Sequence, residues 1–482
     1  MKNSKTHKWI ILFVVTLVSF ITNLDSTIVV IGLPKMMEGL NISVTSGLWI
    51  ITGYIIASTV LILPAGKWSD MIGTKRIFIL GLIIFAVGTI LCGIANSGLI
   101  LNLYRVVQGI GAALVLATAT PTIVRSFPNS QLGLALAINA TSWIIGAIIG
   151  PVAGGVLIAQ LGWRSIFFIT VPFVFICLIG AFFVMEDTVS SAKVKSKNDW
   201  LGMLTFTLGL IVTMIVISEG QSLRWGSSKI ILLALSAVLI WSVFIVTESH
   251  TENPLFDFAL LSYKNYSIGL GITLFYCIAY FSLPLLLSIY LQSALHLSST
   301  MSGVLMISLS VPQLILGPFA GKLVDSIGSL KILSCGIIFL SIGILMLGKL
   351  GAELSIPTIV VPLILLSIAN SLAWPSLSKT VLSAVPKEHS GSASGMQYTI
   401  MNIGKALSQT FAILTIEVSI PADAVSKAIM GIGSFNNINI SSELVNSIDA
   451  SFRFFTVFFI IALILSLILL YSKDKVLNKI GE

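Results

Sequence analysis

Charge is what this chain has least of. Only 10% of its 482 residues are Asp, Glu, Lys or Arg, against roughly 25% in a soluble domain. So few charges cannot cover a water-exposed surface of this size, and the bilayer must serve as solvent for much of it. Cysteine is also scarce. Cys92, Cys177, Cys277 and Cys335 each sit inside an apolar run, which excludes a disulfide framework and metal-ligand spacing and reads as small apolar filling. His7, His250, His296 and His389 are scattered near helix ends and loops and form no metal or catalytic set. There is no phosphate-binding Gly-rich loop, so ATP is not the expected energy source. No enzyme constellation is present, and neither a cofactor nor a nucleic-acid partner is expected.

What is there is apolar length. Hydrophobic residues make up 56% of the chain, and fourteen segments meet the roughly 20-residue requirement for a spanning helix. They begin at 9–32, 46–65, 77–95, 99–121, 132–159 and 165–185. The next eight are 200–218, 230–247, 266–291, 302–320, 332–350, 356–377, 392–417 and 452–471. Met1–Lys8 is basic and leads into an apolar stretch too long for a signal peptide, with no small-residue cleavage site, so it is read as a retained first span. The net charge of +8 comes from Lys and Arg in short inter-helix segments. With the N-terminus inside, most of them, including Lys67, Lys75, Arg76, Lys193, Lys195 and Lys197, fall on the cytoplasmic side. Both termini are then cytoplasmic. Only Arg105 and Lys405 are left buried within helices.

A repeat divides the chain. Residues 66–76 read GKWSDMIGTKR and residues 321–331 read GKLVDSIGSLK. Both follow a spanning segment in an expected cytoplasmic loop, one in each half. Gly66, Gly73, Gly321 and Gly328 are candidates for tight turns, Asp70 and Asp325 for the positive end of the next helix, and Lys75 and Arg76 hold the inner side. A merely orienting basic loop is the alternative; two copies in register argue against it. The expected architecture is all-α and membrane-embedded: two six-helix bundles, 1–190 and 263–482, with a linker and two inserted helices at 191–262 and an outer loop at 418–451.

Asp25 in the first segment and Arg105 in the fourth both lie roughly 10 Å inside the outer boundary, at about 1.5 Å of rise per residue. An ionisable group at that depth is costly and usually functional. The two can meet directly or through water, as a proton-coupling pair or as a structural ion pair; desolvation favours a neutral carboxyl and a neighbouring guanidinium a charged one. In the fifth segment Gly146, Gly150 and Gly154 recur every four residues, with Pro151 between them and Gly155 after. Such a stripe admits close helix approach and the proline bends it. It reads either as tight packing or as a pliable seam. Acids at depth are scarce, with Asp25 clear and Glu417 near an outer end. Lys405 is therefore a candidate for substrate contact or charge balance, unless it snorkels, is neutralised or pairs with a distant acid. Tyr54, Trp143, Phe275, Tyr276, Tyr280, Trp374, Tyr398 and Met401 are candidate walls of a cavity for flat amphiphiles, or ordinary packing residues.

These residues carry a resemblance. The chain resembles the major facilitator superfamily, and within it the fourteen-helix drug:proton antiporters. The segment around Asp25, the 66–76 loop, the Arg105–Gly111 stretch and the 146–155 glycine motif match in order, and Trp163–Pro172 is similar to the segment that follows. The resemblance implies a multidrug efflux protein of a bacterial plasma membrane, working as a monomer by alternating access. Small amphiphiles leave in exchange for protons. It assigns coupling to Asp25 and Arg105 and antiport to Gly146–Gly155. A dedicated exporter of one metabolite, lipid-like molecule or antibiotic, and a non-transporting sensor or scaffold, are the alternatives.

Overall fold

The computed structural model describes residues 4–127, 129–185, 199–220, 223–251, 254, 256, 258–351, 353–385, 390–420 and 438–481. Among the described residues the fold is helical and contains no strand. In chain order the helices are α1 Ser4–Leu40, α2 Val44–Ile72, α3 Thr74–Ile94, α4 Gly98–Ser126, α5 Asn129–Leu161, α6 Ser165–Phe168, α7 Thr170–Val184, α8 Trp200–Glu219 and α9 Ser228–His250. They continue as α10 Lys264–Tyr280, α11 Leu283–Ile289, α12 Ser299–Met306, α13 Val311–Ile327, α14 Ser329–Leu347, α15 Ile356–Leu382, α16 Ser390–Glu417 and α17 Ile438–Gly481. All fourteen expected segments fall on this helical framework. Eleven described helices or helix pairs are long and apolar enough to cross a bilayer, and Ser46–Ile62 and Ile149–Leu161 are shorter apolar helical stretches. The protein is a multi-pass membrane protein, with lipid-facing surfaces such as Leu232, Leu235, Val238 and Leu239 on α9 left exposed, as expected where hydrocarbon replaces water.

Several boundaries differ from the sequence expectation. The segment expected at 266–291 is broken: α10 stops at Tyr280, Phe281 and Ser282 turn, and α11 runs into a π-helical turn at Tyr290–Ala294. The segment at 302–320 is interrupted by a 3₁₀ turn at Ile307–Leu309 before Pro312 restarts it as α13. The last helix begins at Ile438, not 452, so the second part of the expected outer loop is helical; its residues 421–437, like the 186–198 linker, lie outside the described residues.

The 66–76 and 321–331 repeats are not loops. α2 is helical through Ile72 and α13 through Ile327, so Gly66 is a helical residue and not a turn. A single glycine makes each corner. Gly73 has φ 117° and ψ 133°, and Gly328 has φ 103° and ψ 140°, a region that side chains with a Cβ rarely enter. Each donates its N–H back into the helix it ends, to the Ser69 carbonyl at 3.0 Å and the Val324 carbonyl at 3.2 Å. The sequence repeat is therefore a repeat of backbone conformation.

The chain forms two compact units. One comprises α1–α9 together with Ser298–Gly303; the other comprises α10, α11, the rest of α12 and α13–α17. Inside the first unit α4 lies between α2 and α3. A Cβ on Gly111 would overlap the backbone of Phe85, and one on Gly88 the backbone of Gln108. Small residues at these crossings let main chains touch, which is how helices associate where no water is expelled. That proximity brings the polar side chains of α4 within reach of α1, α2 and α3.

Candidate functional site

The interior of the first unit holds a closed polar network. Arg105 Nη1 donates to Asp25 Oδ2 at 2.7 Å, and Gln108 Nε2 donates to Asp25 Oδ1 at 2.9 Å. Arg105 Nη1 also donates to Gln108 Oε1 at 2.5 Å, and Arg105 Nε to the Ile50 carbonyl at 3.0 Å. Gln108 Nε2 reaches Thr89 Oγ1 at 2.8 Å, and Thr89 in turn donates to the Phe85 carbonyl at 2.7 Å. The Tyr54 ring lies under the guanidinium, 4.2 Å from ring centre to Cζ. Asp25, Gln108 and Thr89 are 0% exposed and Arg105 1%. Both carboxylate oxygens are engaged, so the charge pair is held by four helices in a low-dielectric interior. Arg105 and Gln108 are three residues apart and share one face of α4.

α1 presents a second face to α5. Gly146 lies against the Phe20 carbonyl and Leu24 N–H, Gly150 against Thr27, and Gly154 against Ile28. The Thr27 hydroxyl crosses to the Gly146 carbonyl at 3.3 Å. The glycine stripe therefore packs on the residues flanking Asp25. Gly155 faces Ser299, and Thr300 Oγ1 donates to the Gly155 carbonyl at 3.1 Å; the Pro151 carbonyl faces Gly303. A Cβ on Gly150 would overlap Thr27 Oγ1. Gly150→Val is therefore expected to lower stability by about 1–3 kcal/mol through overpacking, read as a drop in melting temperature of the detergent-purified protein. An unchanged melting temperature would show that α1 and α5 do not meet in this register.

The other candidates fall in several places. Lys75 Nζ donates to the Phe182 carbonyl at 2.8 Å, at the C-terminal end of α7 where a cation is favoured. Arg76 is exposed, Gly321 is a helical residue of α13 and not a turn, and the side chains of Asp70, Asp325 and Trp143 lie outside the described residues. Tyr54, a candidate cavity wall, is 5% exposed and belongs to the Arg105 network. In the second unit Tyr276 stacks on Tyr280 at 5.9 Å and tilts against Trp374 at 5.9 Å, and its hydroxyl donates to Asn370 Oδ1. Lys405 Nζ lies 5.3 Å from the centre of the Phe281 ring. Phe275 stacks on Phe458 at 6.2 Å. Tyr398 is half-buried, Met401 buried, and Glu417 buried at the end of α16. Besides Asp25 and Glu417, the described residues Glu248, near the C-terminal end of α9, and Asp449 on α17 are also buried. Cys335 is exposed, whereas the other three cysteines are buried as filling.

The model of the Major Facilitator Superfamily matches residues 15–202 and 268–480. The chain belongs to that superfamily. The protein is similar to the riboflavin transporter RibZ of Clostridioides difficile, 27% identical over 407 residues that cover 84% of this chain and 87% of RibZ. It is also similar to the multidrug resistance protein Stp of Mycobacterium tuberculosis, 27% identical over 82% of this chain and 73% of Stp. In fold it matches a bacterial homologue of the human lysosomal transporter Spinster, with a TM-score of 0.67 over 97% of both chains at 16% identity. This member of the Major Facilitator Superfamily carries its buried charge pair within one compact unit. Gln108 and Thr89, not singled out beforehand, complete that pair; the sequence signals for Gln108 are its place in the Arg105–Gly111 stretch and its helical spacing from Arg105.

Proposed function

We propose that this chain is a proton-coupled antiporter that exports small amphiphilic compounds across the cell membrane by alternating access. The observation that carries the reading is the fully buried Asp25, whose two oxygens are shared between Arg105 and Gln108. A buried carboxylate balanced by one guanidinium changes its charge with a single proton, and its partners must rearrange when it does. Protonation removes the charge attraction to Arg105 and turns one of the two acceptor oxygens into a donor, so Arg105 or Gln108 must find another acceptor. The Gly146–Gly155 stripe of α5 packs on another face of α1, so a shift of α1 is felt directly by α5. Asp25 and Arg105 act in coupling and the stripe as the seam that moves. The driving force is the proton gradient, with no cofactor and no chemical conversion of substrate. The protein works as a monomer in the plasma membrane of a bacterial cell, both termini cytoplasmic. Stp, a multidrug resistance protein, supports the breadth of substrates.

A dye-efflux panel tests this. Cells expressing the protein are expected to extrude amphiphilic dyes, and an uncoupler should collapse extrusion while ATP is held constant. Extrusion that survives the uncoupler would reject proton coupling. A second reading, a dedicated exporter of one compound, is favoured by the similarity to RibZ, named for a single substrate; extrusion of just one compound of the panel would select it.

A further inference from the structure

One face of the second unit carries a pattern that the Asp25 network does not use. Three steps join four rings: Phe281 to Tyr280 at 5.8 Å, Tyr280 to Tyr276 at 5.9 Å, and Tyr276 to Trp374 at 5.9 Å. They come from α10, its broken end and α15. At the Phe281 end stands Lys405 of α16, its ammonium 5.3 Å from the ring centre. One turn further along α16, Gln409 Nε2 donates to the Phe281 carbonyl at 2.6 Å, which the break between α10 and α11 leaves available. Gln409 is 2% exposed, and its Oε1 is buried with no hydrogen-bond partner among the described residues. Tyr280, Phe281, Trp374 and Lys405 are each partly accessible, whereas Tyr276 is buried behind them.

The chemistry of the strip is asymmetric. Rings supply stacking area at low conformational cost, an ammonium only donates, and an amide oxygen only accepts. A cation placed inside a spanning segment marks a substrate or ion route, and here it closes one end of an aromatic run.

We infer that this strip recognises planar aromatic molecules bearing an anionic oxygen. The Tyr280 ring holds the plane, the Phe281 ring, set at 81° to it, meets the edge, Lys405 reads the charge, and Gln409 Oε1 takes a donor. The inference rests on the export reading above and narrows its substrate class. Fluorescein and rhodamine 123 share a tricyclic ring system and carry opposite charge. Fluorescence anisotropy with the detergent-purified full chain is expected to show fluorescein bound about tenfold more tightly, which corresponds to a single well-placed charge contact. Lys405→Gln should abolish that preference by weakening fluorescein about tenfold, with rhodamine 123 changed less than about twofold, and Lys405→Arg should retain it. The wild-type preference needs no variant and stands even if Lys405→Gln fails to fold. A wild-type protein indifferent to charge or preferring rhodamine 123, or a Lys405→Gln protein that loses both dyes equally, overturns the assignment while leaving amphiphile export intact. Binding of neither dye would instead strike the amphiphile reading itself.

Discussion

Asp25→Asn is expected to abolish uphill export while the protein still inserts and folds. Asparagine keeps the size of the side chain and one oxygen, so either Arg105 or Gln108 retains its acceptor while the other meets a donor. Because the charge can no longer change, the network is held in one state whatever the pH on either side. In everted vesicles, the proton movement that accompanies dye transport should vanish, and dye should accumulate no further than its equilibrium level. Downhill equilibration of preloaded dye is expected to continue, since it requires no net proton transfer. Uphill accumulation by the variant at wild-type rate would remove Asp25 from the mechanism.

The second large effect concerns stability. Arg105→Leu leaves the Asp25 carboxylate in a dry interior with Gln108 as its remaining donor. Loss of one partner of a buried pair costs about 3–5 kcal/mol, because an uncompensated charge stays behind. Replacing both members with apolar residues of similar volume is often neutral, so Asp25→Leu combined with Arg105→Leu is expected to melt close to the wild type. Neither protein should export. A double variant as unstable as Arg105→Leu alone would mean that Ile50, Tyr54 and Gln108 need the guanidinium for packing, and that the pair is chiefly a structural fixture. The comparison thus separates a network kept for stability from one kept for proton exchange.

Much of this arrangement is legible in the primary structure because hydrocarbon imposes a length rule and penalises charge. The fourteen apolar segments follow from the first, and the isolation of Asp25 and Arg105 at similar depth from the second. The remainder is illegible for definite reasons. Gln108 is neutral and carries no burial penalty large enough to mark it, so its position between Asp25 and Arg105 emerges only when α4 is set against α1. Glu248 ends an apolar run in the polar sequence Glu-Ser-His, which reads as a terminus, yet α9 continues through His250. Asp449 sits in a mixed stretch without apolar periodicity, although α17 already runs from Ile438. The break after Tyr280 has no proline before it to announce it; Pro284 enters one residue into α11. Tyr54 looks like a cavity aromatic in the sequence, and only its 4.2 Å approach to Arg105 reveals it as a lid on a cation.

The corners at Gly73 and Gly328 have a mechanical result. A connection of one residue has no slack, so α2 cannot tilt without levering α3, and α13 cannot tilt without levering α14. Each pair is joined at one residue, so the end of the first helix and the start of the second travel together.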